Sequence, residues 1–249
     1  MKTKFNKQSR NLMISMLLGD GSINKDNGFR MTHCEKQKPY LEWKIKQLNA
    51  CGIKNCGVKS YIATKGYKVG ETYYYTRLSV TPFIKVLKRI VYKPHKVIAN
   101  RKLLNRLDAK GLAIWYMDDG HINHRKIDGK PVGIYVKIST CLSKFNNQII
   151  IDYFKDVWDI HFYMFSEGKS TYSLCCGTEQ AIKFLDIVKP FCLEAGMEYK
   201  ILYDLGGRTL PVGSSELKQK TPVKGEDMVY SLSKDKAVNN GAEIATPCE

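Results

Sequence analysis

Two aspartates are the residues whose setting most clearly suggests chemistry. Asp20 closes the run Met13-Ile14-Ser15-Met16-Leu17-Leu18-Gly19, and Asp119 closes Leu112-Ala113-Ile114-Trp115-Tyr116-Met117-Asp118. Aligned without gaps, each aspartate follows seven mostly apolar residues and precedes a glycine, and the two lie 99 residues apart. Ser15 and Gly19 stand at i and i+4, a small face that lets two helices approach closely. If the two apolar helices pack side by side across a pseudo-two-fold axis, both carboxylates emerge at one end. Such a pair can hold a divalent metal beside a phosphate. A lone Asp-Gly at a helix end is ordinarily a cap or turn, but two at matched repeat positions call for more than that.

The elements needed to position them recur in one order. In the first half, a helix over Ser9–Leu18 is followed by two strands reaching about Cys34, turned at Lys25-Asp26-Asn27-Gly28, where Asn-Gly is a hairpin signal. Pro39 opens a helix to about Leu48, strands follow at Val58–Thr64 and Thr72–Val80, and Thr81-Pro82 starts a helix through Val91. In the second half the helix Gly111–Met117 precedes strands His121–Lys126 and Val132–Thr140, joined through Asp128-Gly129. Ser143 caps a helix to about Val157, strands His161–Ser166 and Thr171–Cys175 follow, and Thr178 caps a helix through Val188 and Lys189-Pro190. Asp20 to Thr81 spans 61 residues and Asp119 to Thr178 spans 59. The expectation is an α+β fold of two pseudo-symmetric αββαββα repeats, whose two antiparallel sheets form a saddle. Residues 1–106 hold the first repeat with its connecting segment, 107–210 the second, and 211–249 a tail with little apolar periodicity, expected to be mobile.

Composition sets the class of partner. The 249 residues carry 40 Lys+Arg against 24 Asp+Glu, a net charge of +16. Five lysines and six acids between Val212 and Glu249 leave the tail at −1, so residues 1–211 hold +17. That excess favours a polyanion, nucleic acid first. A hydrophobic content of 43% excludes disorder along the whole chain. No apolar run reaches the roughly 18 residues that cross a bilayer, and Asn11–Leu18 is too short for a signal-peptide core. A soluble, intracellular protein with no membrane partner is expected, in a bacterial or phage-infected cytoplasm or an organelle. The eight cysteines form no Cys-x2-Cys pair, so neither a zinc site nor a disulfide framework is expected.

On these motifs the chain resembles the LAGLIDADG homing endonucleases of the monomeric two-repeat kind. Gly19-Asp20 stands in the first motif and Met117-Asp118-Asp119-Gly120 in the second, and the likeness covers roughly residues 10–205. The resemblance implies a double αββαββα fold whose four-stranded sheets sit over the DNA major groove. It also implies Mg²⁺-dependent cleavage of both strands, with one aspartate from each central helix binding metal. Carried over, Asp20 and Asp119 are the metal ligands and Asp118, which matches Gly19, is a second choice. The basic residue placed near each scissile phosphate is Lys96 in the first repeat and Lys200 in the second. Ile114, Trp115 and Tyr116 are bulkier than the family pattern, which leaves the helix-packing geometry open.

The strands are expected to read DNA. Basic, amide and aromatic residues alternate as Asn24, Lys25, Arg30, Lys59, Tyr61, Tyr73, Tyr75 and Arg77 in the first half. Their counterparts are His121, Asn123, Arg125, Tyr135, Lys137, Ser139 and Lys169. Tyr73, Tyr75 and Arg77 share a face, which the residues alone assign neither to DNA nor to core. His121 and His124 fall on opposite faces of a strand and cannot readily share an ion.

The reading is a site-specific double-strand DNA endonuclease, acting as a monomer on a long asymmetric site with Mg²⁺. The alternative is an RNA-binding intron maturase on the same scaffold, and a third is a transcription-factor-like DNA binder. Retention of both aspartates argues for the nuclease. The chain starts at Met1 and ends Pro247-Cys248-Glu249 without a His-Asn splicing end, so an intein is not expected.

Overall fold

The computed structural model describes residues 6–203 except 66–67, 93–94 and 169. The tail 211–249 and the DNA-binding candidate Lys169 lie outside the described residues.

Helix α1 (Lys7–Leu18) is followed by β1 (Ser22–Ile23), β2 (Phe29–Cys34), α2 (Lys38–Ala50), β3 (Lys59–Ile62), β4 (Thr72–Leu78) and α3 (Pro82–Val91). A short helix, α4 (Arg101–Leu104), lies in the connection. Then the order repeats as α5 (Ala109–Asp119), β5 (Gly120–Ile127), β6 (Lys130–Leu142), α6 (Lys144–Trp158), β7 (Tyr163–Gly168), β8 (Thr171–Gly177) and α7 (Thr178–Glu194). The strands form two antiparallel four-stranded sheets, ordered β1-β2-β4-β3 and β5-β6-β8-β7, so the repeat seen in the sequence is a repeat of topology.

Turn chemistry explains the hairpins. Asn27 adopts φ 62°, and the Asn24 side-chain carbonyl accepts from the Gly28 N–H at 2.7 Å. Asp128 and Gly129 take φ 51° and 75°, the paired left-handed conformation of a two-residue hairpin turn. The Thr81 hydroxyl accepts from the Ile84 N–H at 3.2 Å, the expected cap of α3.

Thr178 behaves differently. The N-cap of α7 is Gly177, and the Thr178 hydroxyl instead accepts from the Ile134 N–H at 3.1 Å and donates to the Ile134 carbonyl at 2.9 Å. Pairing of Gly177 with Tyr135 brings the start of α7 against β6, and the hydroxyl takes the ladder position. Helix α7 also runs through Pro190 to Glu194. Proline removes one helical N–H, but the helix continues because Cys192 beyond it is fully buried.

The core lies between the helices and the buried faces of the sheets. Leu12, Met13, Ile14, Met16 and Leu17 of α1 and Leu112 to Met117 of α5 are all buried. Helices apolar all round belong at the centre of a fold, and α1 packs directly against α5. The bulky residues of α5 turn away from that contact: Trp115 stacks on Phe154 at 6.0 Å and Tyr116 meets Phe184 edge-on at 5.2 Å. Both partners belong to the second repeat, so the bulk fills its core without separating α1 from α5.

Candidate active site

Close packing of α1 and α5 brings the two motif ends together. A Cβ added to Gly19 would lie 2.3 Å from Asp118 Oδ2, so only glycine leaves room there. The Asp20 N–H donates to that same oxygen at 3.1 Å. Asp20 thus starts the chain beyond α1, held against the last turn of α5, which ends in Asp118 and Asp119.

The electrostatics at this point are those of crowded acids. Burial, and then the charge of Asp118, push the Asp20 carboxyl up to about 6, against the opposing pull of Lys44, Lys96 and Lys200. Asp119 is pushed up to about 7 by burial and by Asp118 and Asp20, with Lys96 opposing. Two carboxylates held at this cost are short of positive charge, which suits them to a divalent cation. Carboxylate oxygens are the donors that a hard divalent cation takes, so a pair of this chemistry fits the implied metal.

Two lysines frame the pair in matching ways. Lys96 Nζ donates to the carbonyls of Gly19 at 2.6 Å and Gly21 at 2.9 Å. Lys200 Nζ donates to the Gly120 carbonyl at 2.6 Å. Each ammonium thus binds the glycine that follows one of the two aspartates. Burial lowers the pKa of both, while the charges of Asp118, Asp119 and Asp20 hold them up. Tyr116 donates to the Lys200 carbonyl, and Tyr92, bridged to Lys96, accepts from the Ile23 N–H at 2.9 Å, so each lysine's segment is tied to its own repeat.

Sequence reasoning missed Lys44, His33 and Gln37. Lys44 on α2 and Asp118 are both without solvent exposure and pair at 2.6 Å, with 2.9 Å to the second oxygen. Lys44 also lies 3.1 Å from His33 Nε2, and His33 Nδ1 faces Gln37 Oε1 at 3.3 Å and Asp20 Oδ2 at 3.5 Å. An ammonium can only donate, so Nε2 accepts and Nδ1 carries the ring hydrogen. Burial and Lys44 hold His33 down at about 4, so the ring is neutral near pH 7. Asp20, His33 and Asp118 do bring ligand atoms within 4.8 Å of one another. Asp118 is already spent on Lys44, however, and His33 turns an N–H toward Asp20, so this is an internal polar network. A signal was present: Lys44 falls in the helical stripe Tyr40, Leu41, Ile45, Leu48, and His33 in the buried alternation Phe29, Met31.

The sheets place the other candidates on their open faces. Directly paired residues share a face, and Arg30 pairs with Arg77, Lys59 with Tyr75, and Tyr61 with Tyr73. Tyr74, Thr76 and Leu78 face the helices, so the face carrying Tyr73, Tyr75 and Arg77 is the open one. There the Arg30 guanidinium sits 4.1 Å from the Tyr75 ring and 4.9 Å from that of Tyr61. In the second sheet His121 pairs with Lys137, Asn123 with Tyr135, and Arg125 with Gly133, again on one face, whereas His124 pairs with Ile134 on the other. Lys137 also pairs with Glu167. Ser139 is half-buried in β6, and Asn24 and Lys25 lie in the exposed β1–β2 turn, where Lys88 donates to the Lys25 carbonyl.

A family model described as the LAGLIDADG DNA endonuclease family matches residues 10–184. The chain belongs to that family. It is similar to Protein RecA of Mycolicibacterium flavescens, 29% identical over 215 residues, covering 81% of this chain and 48% of that protein. Protein RecA of Mycobacterium leprae is 24% identical over 244 residues, covering 91% of this chain and 32% of that protein. The chain therefore spans half or less of the length of these curated relatives. Among solved structures, its fold is similar to that of the homing endonuclease I-WcaI bound to its DNA recognition sequence, with a TM-score of 0.68 and 18% identity over 81% of this chain and 88% of that one. The double-repeat LAGLIDADG architecture expected from the two motifs is the architecture observed. Among the described residues no helix is long and apolar enough to cross a membrane.

Proposed function

We propose that this protein is a site-specific double-strand DNA endonuclease, working intracellularly as a monomer on a long asymmetric site with Mg²⁺. Residues 1–106 and 107–210 act as its two halves, and 211–249 as a tail. The observation that carries the reading is Asp20 held against the last turn of α5, which ends in Asp119, with two lysines binding the Gly21 and Gly120 carbonyls in the same way. Family membership and the DNA-bound state of I-WcaI support DNA as the partner.

Asp20 and Asp119 would hold the ion, and their crowding means that it replaces the charge they lack. When bound, the ion supplies Lewis acidity to an attacking water and to the leaving oxygen. Lys96 and Lys200 fix the Gly21 and Gly120 carbonyls and set a positive charge beside each aspartate, where a scissile phosphate gains negative charge. The open sheet faces bring the duplex to them. Arg30, Arg77, Lys137 and Arg125 serve base edges and phosphates, with tyrosines between them.

The deciding experiment is recovery of cleaved sites from a randomised DNA library, with Mg²⁺ and with EDTA, using wild type, Asp20→Asn and Asp119→Asn. Wild type alone should enrich a defined site, and only with metal. Near wild-type cutting by either variant would sink the assignment. Tight RNA binding without any cutting would favour the maturase.

A further inference from the structure

The two halves of this site are not chemically equal. Asp118, buried at the end of α5, is neutralised by Lys44 and accepts from the Asp20 N–H, in space left by the missing Cβ of Gly19. Its repeat-equivalent position is Gly19 itself, so the first repeat offers no such carboxylate to Asp119. The partners of Asp118 are equally one-sided. Arg30 pairs with Ser22, two residues beyond Asp20, and Lys137 pairs with His121, two beyond Asp119. By sheet pairing, Leu142 against Tyr172 takes the place that His33 against Tyr74 holds in the first sheet, because the β6 register shifts between Ile138 and Leu142, a stretch that includes Thr140. Thr140 bonds to Asn147 in a neutral contact.

Stability does not account for this arrangement. A fully buried ion pair is roughly matched or bettered by apolar residues of similar volume, because desolvation offsets the attraction. What Lys44 and Asp118 do instead is geometric: Asp118 accepts from the Asp20 N–H, and Lys44 holds His33, whose Nδ1 faces Gln37 at 3.3 Å and lies 3.5 Å from the Asp20 carboxylate.

We propose that Lys44 is a positioning residue that acts through Asp118 to preset the Asp20 half of the site, so that the two DNA strands depend unequally on it. The proposal rests on the endonuclease reading for its strand readout, but not for its metal readout. Removal of Lys44 and Asp118 together avoids leaving a bare buried charge, so Lys44→Met/Asp118→Ala is the first variant. Lys44→Met/Asp118→Asn removes both charges and keeps an acceptor for the Asp20 N–H.

Mn²⁺ binding to the free protein, followed by electron paramagnetic resonance, should weaken about tenfold in the alanine double variant and less in the asparagine one. On a plasmid carrying a selected site, with each strand labelled separately, one strand should be cut at least tenfold more slowly than the other relative to wild type. Unchanged Mn²⁺ affinity, or equal slowing of both strands together with a lowered Tm, would overturn the proposal. If neither double variant folds, Gly19→Ala tests the same contact by displacing Asp118. The same strand bias there supports the proposal, and equal rates end it. A wild type that binds Mn²⁺ but cuts nothing would count against the endonuclease reading, while the Mn²⁺ comparison would still decide the role of Lys44.

Discussion

Asp118 Oδ2 occupies the position next to Gly19 where any other residue would place its Cβ, 2.3 Å away. One oxygen atom thereby fixes the approach of α1 to α5, the neutralisation by Lys44 and the anchoring of Asp20. Gly19→Ala must move either the helix or the carboxylate. Overpacking of this kind costs about 1–3 kcal/mol, and a chain of this size loses about 2–4 °C of Tm per kcal/mol. A scanning calorimetry experiment that finds Tm unchanged would show that the contact yields without cost.

Asp20→Asn and Asp119→Asn should abolish cleavage, leave DNA binding largely intact, and stabilise the metal-free protein. Both carboxyls are raised in the folded state, to about 6 and about 7, above the ordinary 3.8. The folded protein therefore holds protons that the unfolded chain has released, and stability falls as pH rises from about 4 to about 7. Above that window the penalty is complete. Asp20 is 39% exposed, so solvent screens its share, and the gain from each asparagine is on the order of 1 kcal/mol. Melting curves in EDTA at pH 4 and pH 8 check this: the variants should exceed wild type at pH 8 and come close to it at pH 4.

If Asp20 and Asp119 hold the metal, the same shifts govern its binding. Protons compete for Asp20 and Asp119 below about pH 7, so Mn²⁺ affinity should climb between pH 5.5 and 8 and then level off. Added Mg²⁺ should raise Tm more at pH 8 than at pH 6. Calorimetric titration at several pH values measures both trends, and a flat profile would remove these carboxylates from the metal site.

Lys96→Met frees the Gly19 and Gly21 carbonyls and Lys200→Met the Gly120 carbonyl, each beside an aspartate proposed to hold the metal. Cutting should fall on the order of 100-fold for each, with DNA affinity changed far less. Gel-shift and single-turnover assays on one selected site separate these effects.

Arg30 and Lys137 occupy equivalent register positions on the two open faces, yet their settings differ. Arg30 lies between Tyr61 and Tyr75, whereas Lys137 is paired with Glu167. Arg30→Ala should cost about 1–3 kcal/mol of specific affinity, and Lys137→Ala less. Glu167→Gln should steepen the salt dependence of binding by releasing a cation toward phosphate. Affinity measured at several salt concentrations for the three variants tests the order.

Much of this protein was legible along the chain, because its signals are local. The apolar runs ahead of Asp20 and Asp119, the Asn27-Gly28 and Asp128-Gly129 turns and the Thr81 cap depend on neighbours within a few residues, and each appears where expected. Duplication also made the topology readable, since one half predicts the other. Thr178 broke the pattern because its partner, Ile134, is 44 residues away, and propensity carries no information about that contact.

By itself, then, the sequence determined the double αββαββα order, the basic body of +17 and the two aspartates that end its central helices. Only the tertiary structure decided which strand face stays open, where Trp115 and Tyr116 place their bulk, and that Asp118 belongs to Lys44 and His33. The reason is physical. Helix ends and turns are settled by hydrogen bonds between near neighbours, whereas a charge can be buried only where distant segments meet to neutralise it.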